Sequence, residues 1–269
     1  MSPIPTPTSG KIKEMKMNVR TVLSVIGLAA MSVMLAPGAH ASITNIDWLT
    51  MSPPAIGSQI PNGSVYNLPG VGPVTVTYSI PSTFNHGRGD NPLLTAGNVV
   101  SGPDTYTWSD WELFGATLLS GPDPLVPVSW RLTFSWSTPI PANQIYVGVA
   151  GLGRTLSFGG GMTTATVNQN GTFLGDYTGG GNYGLNTFTG GPGTFTLNNS
   201  VTGLGGIDPH WNTALGVVQI SDSNLTSITI DFSHIRGDGA GANIGFAIPA
   251  PGAGAIVALA GLFAARRRR

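Results

Sequence analysis

The chain has 269 residues, a formal net charge of zero, 39 glycines, 21 prolines and no cysteine. Without cysteine there is no disulfide framework, thiolate metal site or thiol nucleophile, so an exported domain of this sequence must depend on its core. The neutral total hides a division: residues 42–248 hold no lysine, four arginines (Arg88, Arg131, Arg154, Arg236), ten aspartates and Glu112, a net of −7, whereas the two ends hold eight Lys/Arg. Phosphate binding needs clustered cations, so no nucleic-acid partner is expected for that middle region.

The first 41 residues read as a secretory signal peptide with an over-long start. Residues 1–16 are rich in proline and Ser/Thr, and Met15 or Met17 could serve as the true first residue. Lys16 and Arg20 then form a basic flank, residues 22–35 an apolar helix, and Ala39-His40-Ala41 a small-x-small cleavage motif ahead of Ser42. That apolar run is short for a membrane span, and Pro37-Gly38 breaks it before the motif. Cleavage by signal peptidase after Ala41 is the expectation.

Residues 42–248 are long enough for one large domain. Stretches such as 74–80 (Val-Thr-Val-Thr-Tyr-Ser-Ile), 130–136 (Trp-Arg-Leu-Thr-Phe-Ser-Trp), 163–167, 194–197 and 228–232 alternate apolar residues with Ser/Thr or combine β-branched and aromatic ones. A period of two means one buried face per strand. Turn formers separate these stretches, among them Pro61-Asn62-Gly63, Pro69-Gly70, Ser101-Gly102-Pro103-Asp104 and Gly190-Gly191-Pro192-Gly193. No helical period is sustained. The expectation is an all-β exported domain of about a dozen strands, a β-sandwich or jelly roll. Residues 166–174 predict a hairpin turning at Asn170-Gly171. Through the glycine-rich tract 159–206, the interleaved Phe158, Phe173, Tyr177, Tyr183, Phe188 and Phe195 argue for packing rather than low-complexity disorder.

Candidate chemistry is sparse. There is no Gly-x-Ser-x-Gly elbow, zinc-helix motif or phosphate loop, and the chain reads as noncatalytic. The best acid–base pair is Asp110 with Glu112. On one strand their carboxylates would share a face about 6.5–7 Å apart, within the range used in glycoside hydrolysis. Trp108 would lie on that face as a sugar platform; the alternative is a solvated face with Trp111 and Leu113 packed in the core. Trp108, Trp111, Trp130, Trp136 and Trp211 are the stacking candidates of a carbohydrate-binding module. His86, His210 and His234 are far apart and form no metal or triad pattern. Arg88-Gly89-Asp90 and Arg236-Gly237-Asp238 fit turn composition better than adhesion motifs. No cofactor is expected. Calcium is the one ion that loop aspartates such as Asp90, Asp104, Asp123, Asp208 and Asp238 would suit, and no EF-hand spacing gathers them.

The chain closes on Pro249-Ala250-Pro251, then 14 residues without a polar side chain (252–265), then Arg266, Arg267, Arg268 and Arg269. As a helix the 14 residues reach roughly 21 Å against a bilayer core of about 30 Å. Their five strongly lipophilic residues supply only roughly −1.5 to −3 kcal/mol of insertion free energy. The arginines hold the C-terminus on the cytoplasmic side. A weak span with a strong cationic stop suits a transient handle.

This order of short Pro-x-Pro motif, small-residue apolar helix and arginine cluster resembles the PEP-CTERM sorting signal of bacterial surface proteins, with Ala250 where the family carries glutamate. The segment 225–245, a Thr/Ile strand followed by a Gly/Asp-rich run, is similar to the closing strands of such proteins. The resemblance implies a transmembrane sorting helix over 249–269 and processing by an exosortase-type transpeptidase. It also implies a destination at the cell surface or in the exopolysaccharide matrix. Three readings follow: a noncatalytic exported β-sandwich, a carbohydrate-binding module that takes polysaccharide, or a hydrolase using Asp110 and Glu112.

Overall fold

Alternation decides the strands. In Val74, Thr75, Val76, Thr77, Tyr78 every second side chain is buried and the threonines between are half-exposed, as a pleated strand with one covered face requires. A computed structural model describes residues 41–51, 59–81, 84–89, 96–109, 112–118, 128–152, 162–177, 186–199, 214–235 and 239–247. The signal segment and the C-terminal sorting helix expected above lie outside these residues. Ala41–Ala250 cluster as one compact unit.

Seventeen strands are described. In chain order they are β1 (Ile43–Asn45), β2 (Asp47–Trp48), β3 (Ser64–Leu68), β4 (Gly72–Ser79), β5 (Phe84–Gly89), β6 (Gly97–Ser101) and β7 (Asp104–Trp108). There follow β8 (Leu113–Leu118), β9 (Val128–Ile140), β10 (Ile145–Ala150), β11 (Met162–Val167), β12 (Gly171–Tyr177) and β13 (Asn186–Gly191). The last are β14 (Thr194–Asn199), β15 (Leu215–Ile220), β16 (Leu225–Ile235) and β17 (Gly239–Phe246). The described residues contain no helix long and apolar enough to cross a membrane.

The strands form three sheets. An outer seven-stranded sheet runs β13-β14-β11-β16-β9-β4-β3, a central one runs β12-β15-β10-β17-β8-β5 with β2 added on β17, and a small one runs β1-β7-β6. One cluster joins the outer and central sheets through Trp130, Leu132 and Phe134 of β9, Ile228, Ile230 and Phe232 of β16, and Val147, Val149, Val218 and Ile244 of the central sheet. A second cluster covers the other side of the central sheet: Tyr146, Leu215 and Val217 meet Val99, Tyr106 and Trp108 of the small sheet. The central strands are therefore buried on both faces, and all six residues of β10 are inaccessible. The architecture is a β-sandwich with a third, partial layer. Trp130 lies directly opposite Phe232 in the β9/β16 ladder, their rings stacked at 4.2 Å and 6°, which extends the core across two strands.

Two glycines are set by geometry. Gly70 closes a turn over Leu68-Pro69-Gly70-Val71, in which the Val71 N–H donates to the Leu68 carbonyl at 3.0 Å. Its φ of 79° follows proline in the second central position, the pattern of a type II turn, and a Cβ there would run into the ring of Phe246. At Gly245 the backbone lies so close to Ile46 and Trp48 that no side chain fits.

The hairpin expected at Asn170-Gly171 is not formed. β11 pairs with β14 and β16 of the outer sheet and β12 with β15 of the central sheet, so Asn168, Gln169 and Asn170 carry the chain between layers. Neither Asn170 nor Gly171 has the positive φ that a two-residue hairpin turn of this type demands. The Asn170 amide group is used differently. Its Nδ2 donates to Asp222 Oδ1 at 2.6 Å, its backbone N–H to Asp222 Oδ2 at 2.7 Å, and its Oδ1 accepts from the Gly193 N–H at 2.8 Å. Asn170 thereby pins the turns before β14 and β16 to the crossover.

Candidate functional site

Among the described residues, the side of the outer sheet that faces away from the core is exposed or half-buried. Because each strand alternates, the residues facing away from the core fall into register rows. One row reads Thr187, Asn198, Thr164, Ser233, Ser129 across β13, β14, β11, β16 and β9. The next reads Thr189, Thr196, Thr166, Asp231, Arg131, Ser79. Thr229, Thr133, Thr77 and then Ser227, Ser135, Thr75, Val65 continue the pattern. Neighbours in a row stand about 4.8 Å apart and successive rows about 7 Å apart. Hydroxyls couple across strands, Thr133 to Thr229 at 3.1 Å and Thr166 to Thr196 at 3.0 Å. The charges in these rows cancel locally: Arg131 Nε donates to Asp231 Oδ1 at 2.6 Å and Nη2 to Oδ2 at 3.0 Å. This bidentate pair raises the Arg131 pKa through its hydrogen bond and charge attraction. The rows are built mainly of hydroxyl donors and acceptors, and the two charged side chains among them, Arg131 and Asp231, pair with each other.

Of the expected carboxylate pair, only Glu112 falls among the described residues. β7 ends at Trp108, Asp110 and Trp111 lie outside the described residues, and Glu112 stands between β7 and β8. Glu112 serves the backbone: its Oε2 accepts the Met51 N–H at 2.7 Å, and its carbonyl accepts Asn243 Nδ2 at 2.7 Å. Trp108 does not line a sugar platform. It is buried edge-on against Trp48 and Tyr177. Trp130 and Trp136 are likewise core residues, their indole N–H groups donating to His234 Nε2 at 2.7 Å and to the Leu225 carbonyl at 3.0 Å. These three tryptophans are corrected from stacking candidates to packing residues, because large rings on core-facing positions of two opposed sheets are the means of filling the space between them. Leu113 is buried as expected, and Trp211 lies outside the described residues.

His234 is placed on β16 with both ring nitrogens engaged. The indole of Trp130 can only donate, so His234 Nε2 must accept, and the proton sits on Nδ1 facing Thr163 Oγ1 at 3.1 Å. The ring lies beside those of Trp130 and Phe232, and with Nε2 engaged by the indole it has no free lone pair to offer a metal. His86 and Arg88 lie on β5, and Asp104 opens β7, where Oδ1 accepts from Ser42. Outside the described residues lie His210, Asp90, Asp123, Asp208, Asp238, Arg236, Ala39 and the tail from Pro249 through Ala250, Pro251 and Arg266 to Arg269. Among the described residues no three His, Asp or Glu side chains come together as a metal-holding group.

Two polar centres escaped the sequence reading. Asn243, fully buried on β17, donates from Nδ2 to the carbonyls of Leu49 (2.8 Å) and Glu112 (2.7 Å), while its Oδ1 accepts the Ile244 N–H at 2.7 Å. It ties the segment before β3 and the start of β8 to the central sheet. Asp176 on the bulged strand β12 accepts Asn186 Nδ2 at 2.6 Å; burial pushes its carboxyl above the ordinary range, and the Asn186 bonds pull the other way. Isolated Asn and Asp residues in a Gly/Asn-rich chain carry no periodic signal, so only the contacts distinguish these from surface ones. No protein-family model matches the chain, and no characterised protein matches it in sequence.

Proposed function

We propose that the chain is a noncatalytic, exported β-sandwich protein displayed at the cell surface or held in an exopolysaccharide matrix. Its leader is removed by signal peptidase and its tail is handled by an exosortase-type transpeptidase. The observation that carries this reading is the arrangement of the ends around the middle. A basic flank, apolar helix and Ala39-His40-Ala41 motif precede a lysine-free, acidic domain, and a Pro-Ala-Pro motif, apolar run and four arginines follow it. The same charge pattern sends residues 42–248 across the inner membrane and leaves both basic ends behind, with the tail as a transient membrane anchor. Contact with polysaccharide would fall on the Thr/Ser rows of the outer sheet, since the described tryptophans are in the core.

The test is deletion of residues 249–269 followed by fractionation of cells and medium. Loss of surface retention, with the truncated chain released to the periplasm or medium, supports the sorting role. Identical distribution of the full and truncated chains refutes it.

A further inference from the structure

All three lysines of the chain, Lys11, Lys13 and Lys16, precede Ala41. A chain that starts at Ser42 therefore holds a single primary amine, its own N-terminus, wherever the tail is cut. The nitrogen that would become this amine already faces a carboxylate. Ser42 N–H donates to Asp104 Oδ1 at 3.1 Å, and Ser42 Oγ donates to the same oxygen at 2.6 Å. The main chain fixes the geometry from both sides. The Thr105 N–H donates to the Ser42 carbonyl at 2.8 Å, and β1 runs parallel to β7 with Ile43 opposite Thr105, Thr44 opposite Tyr106 and Asn45 opposite Thr107. Asp104 is itself set by the β6/β7 hairpin, opposite Ser101 in the ladder.

We propose that Asp104 is the receptor for the N-terminal ammonium created by processing, so that cleavage converts a neutral hydrogen bond into an ion pair that locks β1 onto β7. This rests on the cleavage expected after Ala41. Hydrolysis adds one water across the Ala41–Ser42 amide: the carbonyl leaves as the Ala41 carboxylate, and the Ser42 nitrogen gains the protons of an ammonium. That nitrogen keeps its place. One N–H stays on Asp104 Oδ1 and the remaining two face outward, and a charge-assisted bond replaces an amide one. Uncleaved chains have only the weaker bond. The mature edge of the small sheet is thus fastened by the act that releases the protein, and the one amine open to acylation or cross-linking is shielded.

Because that amine is unique, it can be read without interference. The exported protein is recovered from its natural compartment, its intact mass is taken, and it is treated with an amine-acylating succinimidyl ester while mass gain is followed. Beside it run Asp104→Asn and a chain processed one residue earlier, which begins at Ala41 and keeps Ser42 N as an amide. The proposal expects a mass starting at Ser42, slow acylation of the natural protein, and acylation roughly fivefold faster in both comparison chains, the size of a partly exposed ion pair. A mass starting elsewhere overturns the cleavage reading and this inference with it. A start at Ser42 with equal acylation rates in the natural and Ala41-initiated chains overturns the inference alone. The Ala41-initiated chain decides the matter even where Asp104→Asn does not fold.

Discussion

Removing the Asn243 side chain tests the claim that buried polar contacts, rather than further apolar area, fasten the loop segments to the central sheet. In Asn243→Ala the carbonyls of Leu49 and Glu112 each lose a donor, at 2.8 and 2.7 Å, inside a region where Asn243 itself is fully buried. A buried acceptor left without a partner costs about 1–3 kcal/mol, so the two together should cost about 2–6 kcal/mol. For a domain of this size that corresponds to a fall in Tm of roughly 4–24 °C. Thermal and urea unfolding followed by tryptophan fluorescence would measure it, since Trp48 is opposite Gly245 on the neighbouring strand. Asn243→Asp should be worse still, because it places carboxylate oxygens where both carbonyls point. A Tm for Asn243→Ala within about 2 °C of the parent would refute the reasoning, for it would mean that water or relaxation satisfies both carbonyls at little cost.

Three further outcomes are expected. Asp176→Asn should be at least as stable as the parent near neutral pH, because burial holds the Asp176 carboxyl above its unfolded value of about 3.9. A raised native pKa favours the folded state as pH falls through that window and disfavours it as pH rises, so the advantage of the variant should vanish by about pH 4; a pH-independent difference in urea midpoints would contradict this. Gly70→Ala should destabilise more than a positive φ alone explains, since the new Cβ meets the Phe246 ring; differential scanning calorimetry should show a loss above about 1 kcal/mol, and a loss below that would mean the turn can move aside. His234→Leu should leave the Trp130 indole N–H buried without its acceptor and cost about 1–3 kcal/mol in denaturant unfolding, while an unchanged midpoint would show that the bond contributes nothing.

The sheets were legible where hydrophobic alternation is strong. Residues 74–80, 130–136, 163–167, 194–197 and 228–232 fall on or within β4, β9, β11, β14 and β16, because a half-buried strand leaves a period of two in its sequence. The central strands were harder to read: β10 and β17 are covered on both faces and show Gly/Ala/Val runs in place of alternation. Pairing was not local information at all. Asn170-Gly171 has hairpin composition, yet the chain there crosses layers, since Asp222 and Gly193, distant in sequence, claim the Asn170 hydrogen bonds. Tryptophan misled for a related reason. A ring at an alternating position reads equally as platform or packing, and only the third layer above Trp108 and the opposed sheet beneath Trp130 decide between them. The Thr/Ser content was visible in the sequence, but its assembly into rows depends on register between strands far apart in the chain.

The most direct test of an exported, doubly processed surface protein is intact mass measured separately on protein from membranes and from medium. The account predicts a mature species that begins at Ser42 and ends within residues 249–251. A species recovered from the membrane that still carries Arg269 as its only form would contradict it and leave a tail-anchored exported domain in its place.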